Sequence, residues 1–176
     1  MNRLTPWLIG GALLSSLFIA WQVGFIINTT SSLPRGLWYV IDHASPHPGD
    51  VVVFCPPNRT AFQRARERGY IGGGRCPGNY EMMLKPVVAV AGDRVVVKPA
   101  AVAVNGRLII DSGSQDYDTA GRPLFPLRGT VIIPPHHLWL MSTWSSRSYD
   151  SRYFGPVDAH HIIGRAVPIL TEAVAH

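Results

Sequence analysis

The chain has 176 residues, enough for one modest domain, of which 47% are apolar and only 15% charged. Its net charge of +5 comes from 14 Arg and two Lys against 11 acidic residues, and the basic residues are spread along the chain. Because it has no Lys/Arg block of the kind that follows a phosphate backbone, we expect no nucleic acid partner. The high apolar fraction favours a membrane segment followed by a β-rich core.

The first apolar run, residues 7–27, reads WLIGGALLSSLFIAWQVGFII and contains 21 residues without a charge. A helix of about 20 such residues spans a bilayer. A cleavable signal peptide is the alternative, but it has a shorter apolar core and ends in a small-x-small site that this run lacks. We therefore expect an uncleaved anchor in the lipid bilayer. The leader, residues 1–6, carries Arg3, so the positive-inside rule keeps it cytoplasmic and places residues 28–176 on the exported side.

Beyond the anchor, short apolar runs alternate with turn residues. The predicted strands lie in LWYVID, VVVFC, EMMLKPVVAVAGDRVVVK (two strands), AVAVNGRLII (a hairpin), TVIIPPHHLWLMS (a strand pair broken by two prolines) and YFGPVDAHHIIGRAVPIL. The Asn-Gly dipeptide is the strongest short-range hairpin signal among them. TAFQRARERGY predicts one short amphipathic helix, and residues 111–130 a polar loop. This pattern predicts a mainly β domain.

Two cysteines occur, Cys55 and Cys76, and each is followed by proline. On the exported side of a membrane they are candidates for one disulfide that closes a small insertion, and two free buried thiols are the alternative. Too few other ligands lie at metal spacing for a zinc site, so we expect neither a metal nor a cofactor.

Several side chains could carry chemistry, and each has a structural alternative. Lys85 stands alone in the apolar run MMLKPVVAV, where it either extends its amine to water or is buried with a lowered pKa, as a general base requires. Ser31 and Ser32 precede Leu-Pro-Arg-Gly, and a serine needs a base within reach to act as a nucleophile. Seven histidines are present, but none lies in a pattern that nominates it as that base.

The segment SRSYDSRYFGPV is dense in polar and aromatic residues. Asp150 and Arg152 within it could form a structural ion pair that fixes a loop. Alternatively, the pair could orient the groups of an active site.

In chain order the sequence carries NTTSSLPRGLW, VVFCPP, RERGYIGGGRCPG, MMLK, VNGRL, AGRP and DSRYFGP. This series resembles the type I signal peptidases of the Ser/Lys class, and most of all the TraF-type conjugative-transfer signal peptidases. The resemblance covers Asn28 to Pro168. It implies a signal-peptidase-like β-barrel or sheet domain behind one N-terminal transmembrane helix. It also implies a single-pass protein of the bacterial inner membrane whose catalytic domain is periplasmic.

The resemblance also implies roles for individual residues. Ser32 matches the nucleophile and Lys85 the general base, while the hydroxyl of Thr30 assists the oxyanion hole. Ser148, Asp150 and Arg152 are expected to support the lysine side of the site. Of these, Ser148 would hydrogen-bond the Lys85 amine.

Three departures from the family pattern stand out. Housekeeping enzymes place their serine three residues before proline, which would nominate Ser31. Pro86 replaces the Arg that usually follows the lysine. The usual G-D-N-x-x-S stretch reads S-T-W-S-S-R here, around Trp144.

The resemblance implies a protein substrate, most specifically a conjugative pilin precursor. The enzyme would cleave this precursor and release the product either by hydrolysis or by cyclisation. A housekeeping signal peptidase acting on many preproteins is the second interpretation. A non-catalytic anchored subunit of a secretion apparatus is the third. Contacts with the conjugation or secretion machinery would accompany the first and the third.

Overall fold

A computed structural model of the chain describes residues 24–42 and 45–172. These residues form mainly β structure, which confirms the predicted class. The strands are β1 Phe25–Asn28, β2 Gly36–Asp42, β3 Val51–Phe54, β4 Gly73–Cys76, β5 Met83–Val90, β6 Arg94–Val97, β7 Val102–Val104, β8 Arg107–Ile109, β9 Gly129–Ile132, β10 His137–Leu140, β11 Val157–Asp158 and β12 Ile162–Thr171. The helices are α1 Thr60–Glu67 and α2 Ser151–Phe154, with a 3-10 turn at Ala159–His161.

The larger sheet has seven strands in the order β1-β2-β12-β3-β5-β10-β11, and every neighbouring pair is antiparallel. Strand β5 lies well inside this sheet, between β3 and β10. The side chains of an inner strand have side chains of a neighbouring strand on both sides, and they are therefore more easily buried than those of an edge strand. This location matters for the site because β5 carries Lys85.

The smaller sheet has four strands in the order β8-β7-β6-β9. The predicted Asn-Gly hairpin is confirmed, since β7 pairs with β8 across Asn105 and Gly106. Both turn residues have positive φ, 50° and 82°, as the favoured two-residue hairpin turn requires.

The two strands predicted on either side of the two prolines are present as β9 and β10, but they do not pair with each other. Strand β9 pairs with β6 in the smaller sheet, whereas β10 pairs with β5 in the larger one. Pro134 and Pro135 separate them, and proline has no N–H to donate to a ladder. The chain therefore changes sheets at this point.

The segment between the two cysteines contributes to the core. Cys55 and Cys76 form the predicted disulfide, with Cα atoms 5.4 Å apart. Helix α1 lies within the closed segment and buries Phe62 and Ala65. The ring of Phe62 packs 4.6 Å from that of Phe154, centroid to centroid. The insertion is thus part of the fold rather than a surface appendage.

The predicted anchor, residues 7–27, lies outside the described residues except at its C-terminal end. There the structure corrects its boundary, because Phe25, Ile26 and Ile27 belong to β1 and pair with β2. Aromatic and β-branched side chains of this kind suit a strand as well as a membrane helix. Within 24–42 and 45–172, no helix is long and apolar enough to span a membrane.

Candidate active site

Lys85 lies on the buried face of β5. Side chains alternate between the two faces of a strand, and Met83, Lys85 and Val87 are all buried. Lys85 pairs in register with Val52 of β3, and only 3% of it is exposed. The amine therefore does not extend to water, which removes the alternative left open by the sequence.

Burial lowers the pKa of the Lys85 amine from 10.5 to about 8. The charges of Asp150 and Glu81 act in the opposite direction, and that of Arg152 lowers the pKa further. Burial is the largest effect because an ammonium loses its hydration in a poorly polarisable interior. At neutral pH a substantial minority of the amine, about a tenth, is therefore free to accept a proton.

The loop between β1 and β2 carries the candidate nucleophiles, and the Asn28 side chain fixes its shape. Asn28 Nδ2 lies 3.1 Å from the carbonyl oxygens of Thr30, Leu33 and Pro34. Asn28 Oδ1 accepts hydrogen bonds from Thr30 N at 3.1 Å and from Thr30 Oγ1 at 2.8 Å. Because Asn28 is only 6% exposed, water competes little for these bonds and the loop is held rigidly.

Gly36 ends the same loop in a conformation that only glycine fits. Its φ is 134°, and a Cβ there would overlap the carbonyl oxygen of Leu170 on β12. This close approach gives the Pro-Arg-Gly part of the motif a physical reason.

Ser31 and Ser32 differ in their surroundings. Ser31 is exposed, Ser32 is half-buried, and both line the cavity that Lys85 also lines. The Thr30 hydroxyl lines it too, but its single proton is donated to Asn28. A part for Thr30 in oxyanion binding stays a prediction.

Asp150 and Arg152 form a fully buried ion pair at the start of α2. Arg152 Nε donates to Asp150 Oδ1 at 2.8 Å, and Arg152 Nη2 donates to Asp150 Oδ2 at 2.6 Å. Neither side chain is exposed. A buried pair of this kind is held only where other hydrogen bonds satisfy it, and Arg152 also donates to the carbonyl of Gly113 at 2.5 Å.

The Asp150–Arg152 pair hydrogen-bonds both the backbone N–H and the backbone carbonyl of Ser142. Asp150 Oδ2 accepts from Ser142 N at 3.2 Å, and Arg152 Nη2 donates to Ser142 O at 3.1 Å. The hydroxyl of Ser142 then donates a short hydrogen bond to the backbone carbonyl of Ser32. The predicted ion pair is thus connected to the serine loop through a residue that the motif analysis did not single out.

Ser148 is buried, and its hydroxyl has no hydrogen-bond partner among the residues of 24–42 and 45–172. A buried hydroxyl without a partner is costly and usually has a reason. The predicted hydrogen bond from Ser148 to the Lys85 amine is therefore not formed in this structure.

Thr30, Ser31, Ser32 and Lys85 line one cavity with a volume of about 320 Å³, whereas Ser148, Asp150 and Arg152 lie outside its lining. Its lining comprises residues 26–32, Tyr70, residues 81–85, Gln115, residues 117–119, Leu124, Arg147, Tyr149 and Tyr153.

A family model described as signal peptidase, peptidase S26, matches residues 4–171. The chain belongs to the signal peptidase family. A plasmid transfer protein TraF of Escherichia coli is 42% identical to it over 173 residues, covering 97% of each chain. A probable conjugal transfer protein TraF of Sinorhizobium fredii is 42% identical over 178 residues, covering 98% of this chain and 93% of its own.

A crystal structure of a signal peptidase I from Enterococcus faecalis superposes with a TM-score of 0.43 at 18% identity, covering 69% of this chain and 96% of that one. The family match and the two TraF relatives, each about 40% identical over nearly the whole chain, confirm the resemblance to TraF-type signal peptidases. Membership of the signal peptidase family supports a peptidase activity.

Two residues that support the site, Asn28 and Ser142, receive no role from the sequence, although both lie in stretches quoted above, NTTSSLPRGLW and S-T-W-S-S-R. Asn28 comes directly after the apolar run, and a polar residue between a strand and a turn is a signal that could have been used. Nothing in the stretch around Ser142 indicates its bond to Ser32, because the two residues are 110 positions apart in the chain.

Proposed function

We propose that this signal peptidase is a membrane-anchored serine endopeptidase with Ser32 as nucleophile and Lys85 as general base. It cleaves a signal peptide or pro-peptide from an exported precursor. The observation that carries the proposal is the buried Lys85 amine, whose pKa is lowered to about 8 and which lines the same cavity as Ser32.

The proposed reaction has two steps. Neutral Lys85 Nζ takes the proton of Ser32 Oγ while that oxygen attacks the scissile carbonyl carbon. The C–N bond then breaks, the amine leaves with the proton from Lys85, and an acyl-enzyme remains. Water, or an amine of the substrate, then attacks the acyl carbon and gives a proton to Lys85. The bond between the acyl carbon and Ser32 Oγ breaks, and Lys85 returns the proton to Ser32 Oγ.

The oxyanion of each tetrahedral intermediate needs hydrogen-bond donors already in position. The backbone N–H of Ser32 is the first of these donors. The Thr30 hydroxyl becomes the second if it turns from Asn28 Oδ1 toward the cavity, which a rotation about one side-chain bond allows.

Two features favour Ser32 over Ser31. Ser32 is the half-buried member of the pair, and its carbonyl is held by Ser142, whereas Ser31 is exposed. A nucleophile must be held in a near-attack geometry. The residue whose backbone is tied to the buried Asp150–Arg152 pair meets that requirement better.

The substrate is most specifically a conjugative pilin precursor, since both relatives described above bear plasmid or conjugal transfer names. The part of the predicted anchor that precedes Gly24, residues 7–23, would hold the enzyme in the inner membrane, with the catalytic domain in the periplasm. A housekeeping signal peptidase is the alternative, and it would act on many preproteins.

The deciding experiment compares Ser32→Ala, Ser31→Ala and Lys85→Ala in cells that carry the pilin precursor. Ser32→Ala and Lys85→Ala should abolish processing while the protein still accumulates in the membrane, and Ser31→Ala should process normally. Lys98→Ala is the matched control, because Lys98 is the other lysine of the chain and is exposed. Immunoblots of precursor and mature pilin give the measurement.

The alternatives give different results in the same strains. Loss of activity in Ser31→Ala but not in Ser32→Ala would move the nucleophile to Ser31. Normal processing in both variants would indicate a non-catalytic subunit. General preproteins that accumulate in Ser32→Ala cells would favour the housekeeping enzyme.

A further inference from the structure

Tyrosine rings form one wall of the cavity that Ser32 and Lys85 line. Tyr70, Tyr149 and Tyr153 contribute this wall. Tyr149 stacks on Tyr153 with ring centroids 5.3 Å apart and an interplanar angle of 12°, and Tyr70 lies 5.3 Å from Tyr149 at 43°. The wall therefore offers aromatic surface rather than isolated rings.

The hydroxyl groups of these tyrosines are already used within the protein. Tyr70 Oη donates to Asp118 Oδ2 at 2.5 Å, and Tyr149 Oη donates to a backbone carbonyl in α1 at 3.0 Å. Tyr153 Oη accepts from Gln115 N at 2.8 Å. Because these hydroxyls are engaged, the groups that the tyrosines can still offer an occupant of the cavity are their rings, which bind aromatic groups edge-on or face-on.

Hydrogen bonds within the protein hold the tyrosine wall in place in the absence of substrate. Asp118 accepts from Arg122 Nε at 2.6 Å as well as from Tyr70, and the Arg122 guanidinium lies 5.7 Å from the centre of the Tyr70 ring. Arg68 Nη1 donates to the carbonyl of Pro123 at 2.7 Å, which ties the same loop to the disulfide-closed segment. A rigid wall loses little entropy when it binds a side chain.

The charges of the lining argue against a basic occupant. Asp118 is paired with Arg122, and Glu81 Oε1 accepts from Gly72 N at 2.6 Å. Asp118 is thus paired with a cation, whereas Glu81 has a neutral backbone partner, and Arg147 adds a positive charge to the lining. A Lys or Arg side chain beside Tyr70 would find the neighbouring carboxylate of Asp118 already paired.

We propose that Tyr70, Tyr149 and Tyr153 form a subsite that binds an aromatic side chain of the precursor, at a fixed position away from the bond that Ser32 attacks. This subsite rests on the proposed function, since it gives that peptidase part of its specificity. An aromatic residue at this position should raise kcat/KM by about 3–10-fold over alanine, as expected for one ring pair.

The test uses the full-length protein in detergent and a peptide library prepared by digesting a bacterial proteome. Cleavages present with the wild type and absent with Ser32→Ala are identified by mass spectrometry. Phe, Tyr or Trp should be enriched at one position in these cleavages. The enrichment should persist in Tyr153→Phe, which keeps the ring, and disappear in Tyr153→Leu.

Tyr39→Leu is the matched control, because Tyr39 packs on Phe25 and is not part of the cavity lining. It should keep the enrichment. If thermal unfolding shows that Tyr153→Leu does not fold, Tyr70→Leu replaces it.

The outcomes separate this proposal from the one before it. Three results would overturn the subsite alone, provided that the cleavages depend on Ser32. These are the absence of an enriched aromatic position, enrichment of a basic residue at that position, and aromatic enrichment that persists in Tyr153→Leu. If no cleavage depends on Ser32, the proposed peptidase fails and the subsite fails with it.

Discussion

At the scale of single residues, the most informative contact joins two serines that are distant in the chain. The Ser142 hydroxyl holds the Ser32 carbonyl and accepts from Trp144 N at 3.1 Å, so its orientation is fixed from two sides. The peptide unit that follows Ser32 is thereby fixed as well. Since the Ser32 side chain projects from the same Cα, Ser142 is a positioning residue for the proposed nucleophile.

Replacing Ser142 should therefore slow the reaction more than it weakens binding. We expect Ser142→Ala to lower kcat on the order of 10–100-fold and to leave KM within about twofold. Steady-state kinetics on one peptide substrate would measure the two constants separately. Ser146→Ala, in the same loop, is the control and should behave as the wild type, because Ser146 is exposed. An unchanged kcat, or a loss carried by KM, would contradict the positioning role.

At the scale of elements, local signals predicted what local residues determine. The Asn-Gly turn predicts the two strands on either side of Asn105 and Gly106, and the apolar periodicity predicts helix α1. Both signals lie within a few residues. The separation of β9 from β10 does not follow from such signals, because each strand finds its partner far along the chain. The end of the apolar run, Phe25 to Ile27, likewise fits a membrane helix when the sequence is considered alone. Its pairing with β2 depends on a contact between separate segments.

The disulfide-closed segment carries a prediction at this scale. The bond spans 21 residues and encloses α1, which packs into the core, so breaking it frees the denatured chain. The double variant Cys55→Ser with Cys76→Ser should lose about 2–4 kcal/mol of unfolding free energy. Urea unfolding of both proteins in the same detergent measures this loss. Two thiols that react in the native wild type before reduction would show that the bond is absent.

At the scale of the whole molecule, the candidate site is assembled from segments that only the fold brings together. The motif order led to Ser32, Lys85 and the Asp150–Arg152 pair, because each lies in a short recognisable stretch. The connection through Ser142 and the tyrosine wall could not be predicted, because both depend on tertiary contacts between segments without a shared motif. Short motifs thus indicate the candidate groups, whereas the hydrogen bonds that support them and the tyrosine wall arise only in the folded chain.

The fold also determines how activity should depend on pH. Lys85 must be neutral to act as a base, and its pKa is lowered by burial to about 8. Among the other groups of the cavity, burial raises the pKa of Tyr149 to about 12, so this phenol stays neutral. The hydrogen bond from Tyr70 lowers the pKa of Asp118, which therefore stays ionised. Lys85 is the one of these three groups that titrates near neutral pH.

We therefore expect kcat/KM to rise about tenfold per pH unit below pH 8 and to level off above it, with no fall before pH 10. Initial rates on one peptide between pH 6 and 10 give the profile, and Lys85→Arg should be inactive throughout because a guanidinium does not lose its proton in this range. A midpoint near 6.5 would instead point to one of the seven histidines as the base.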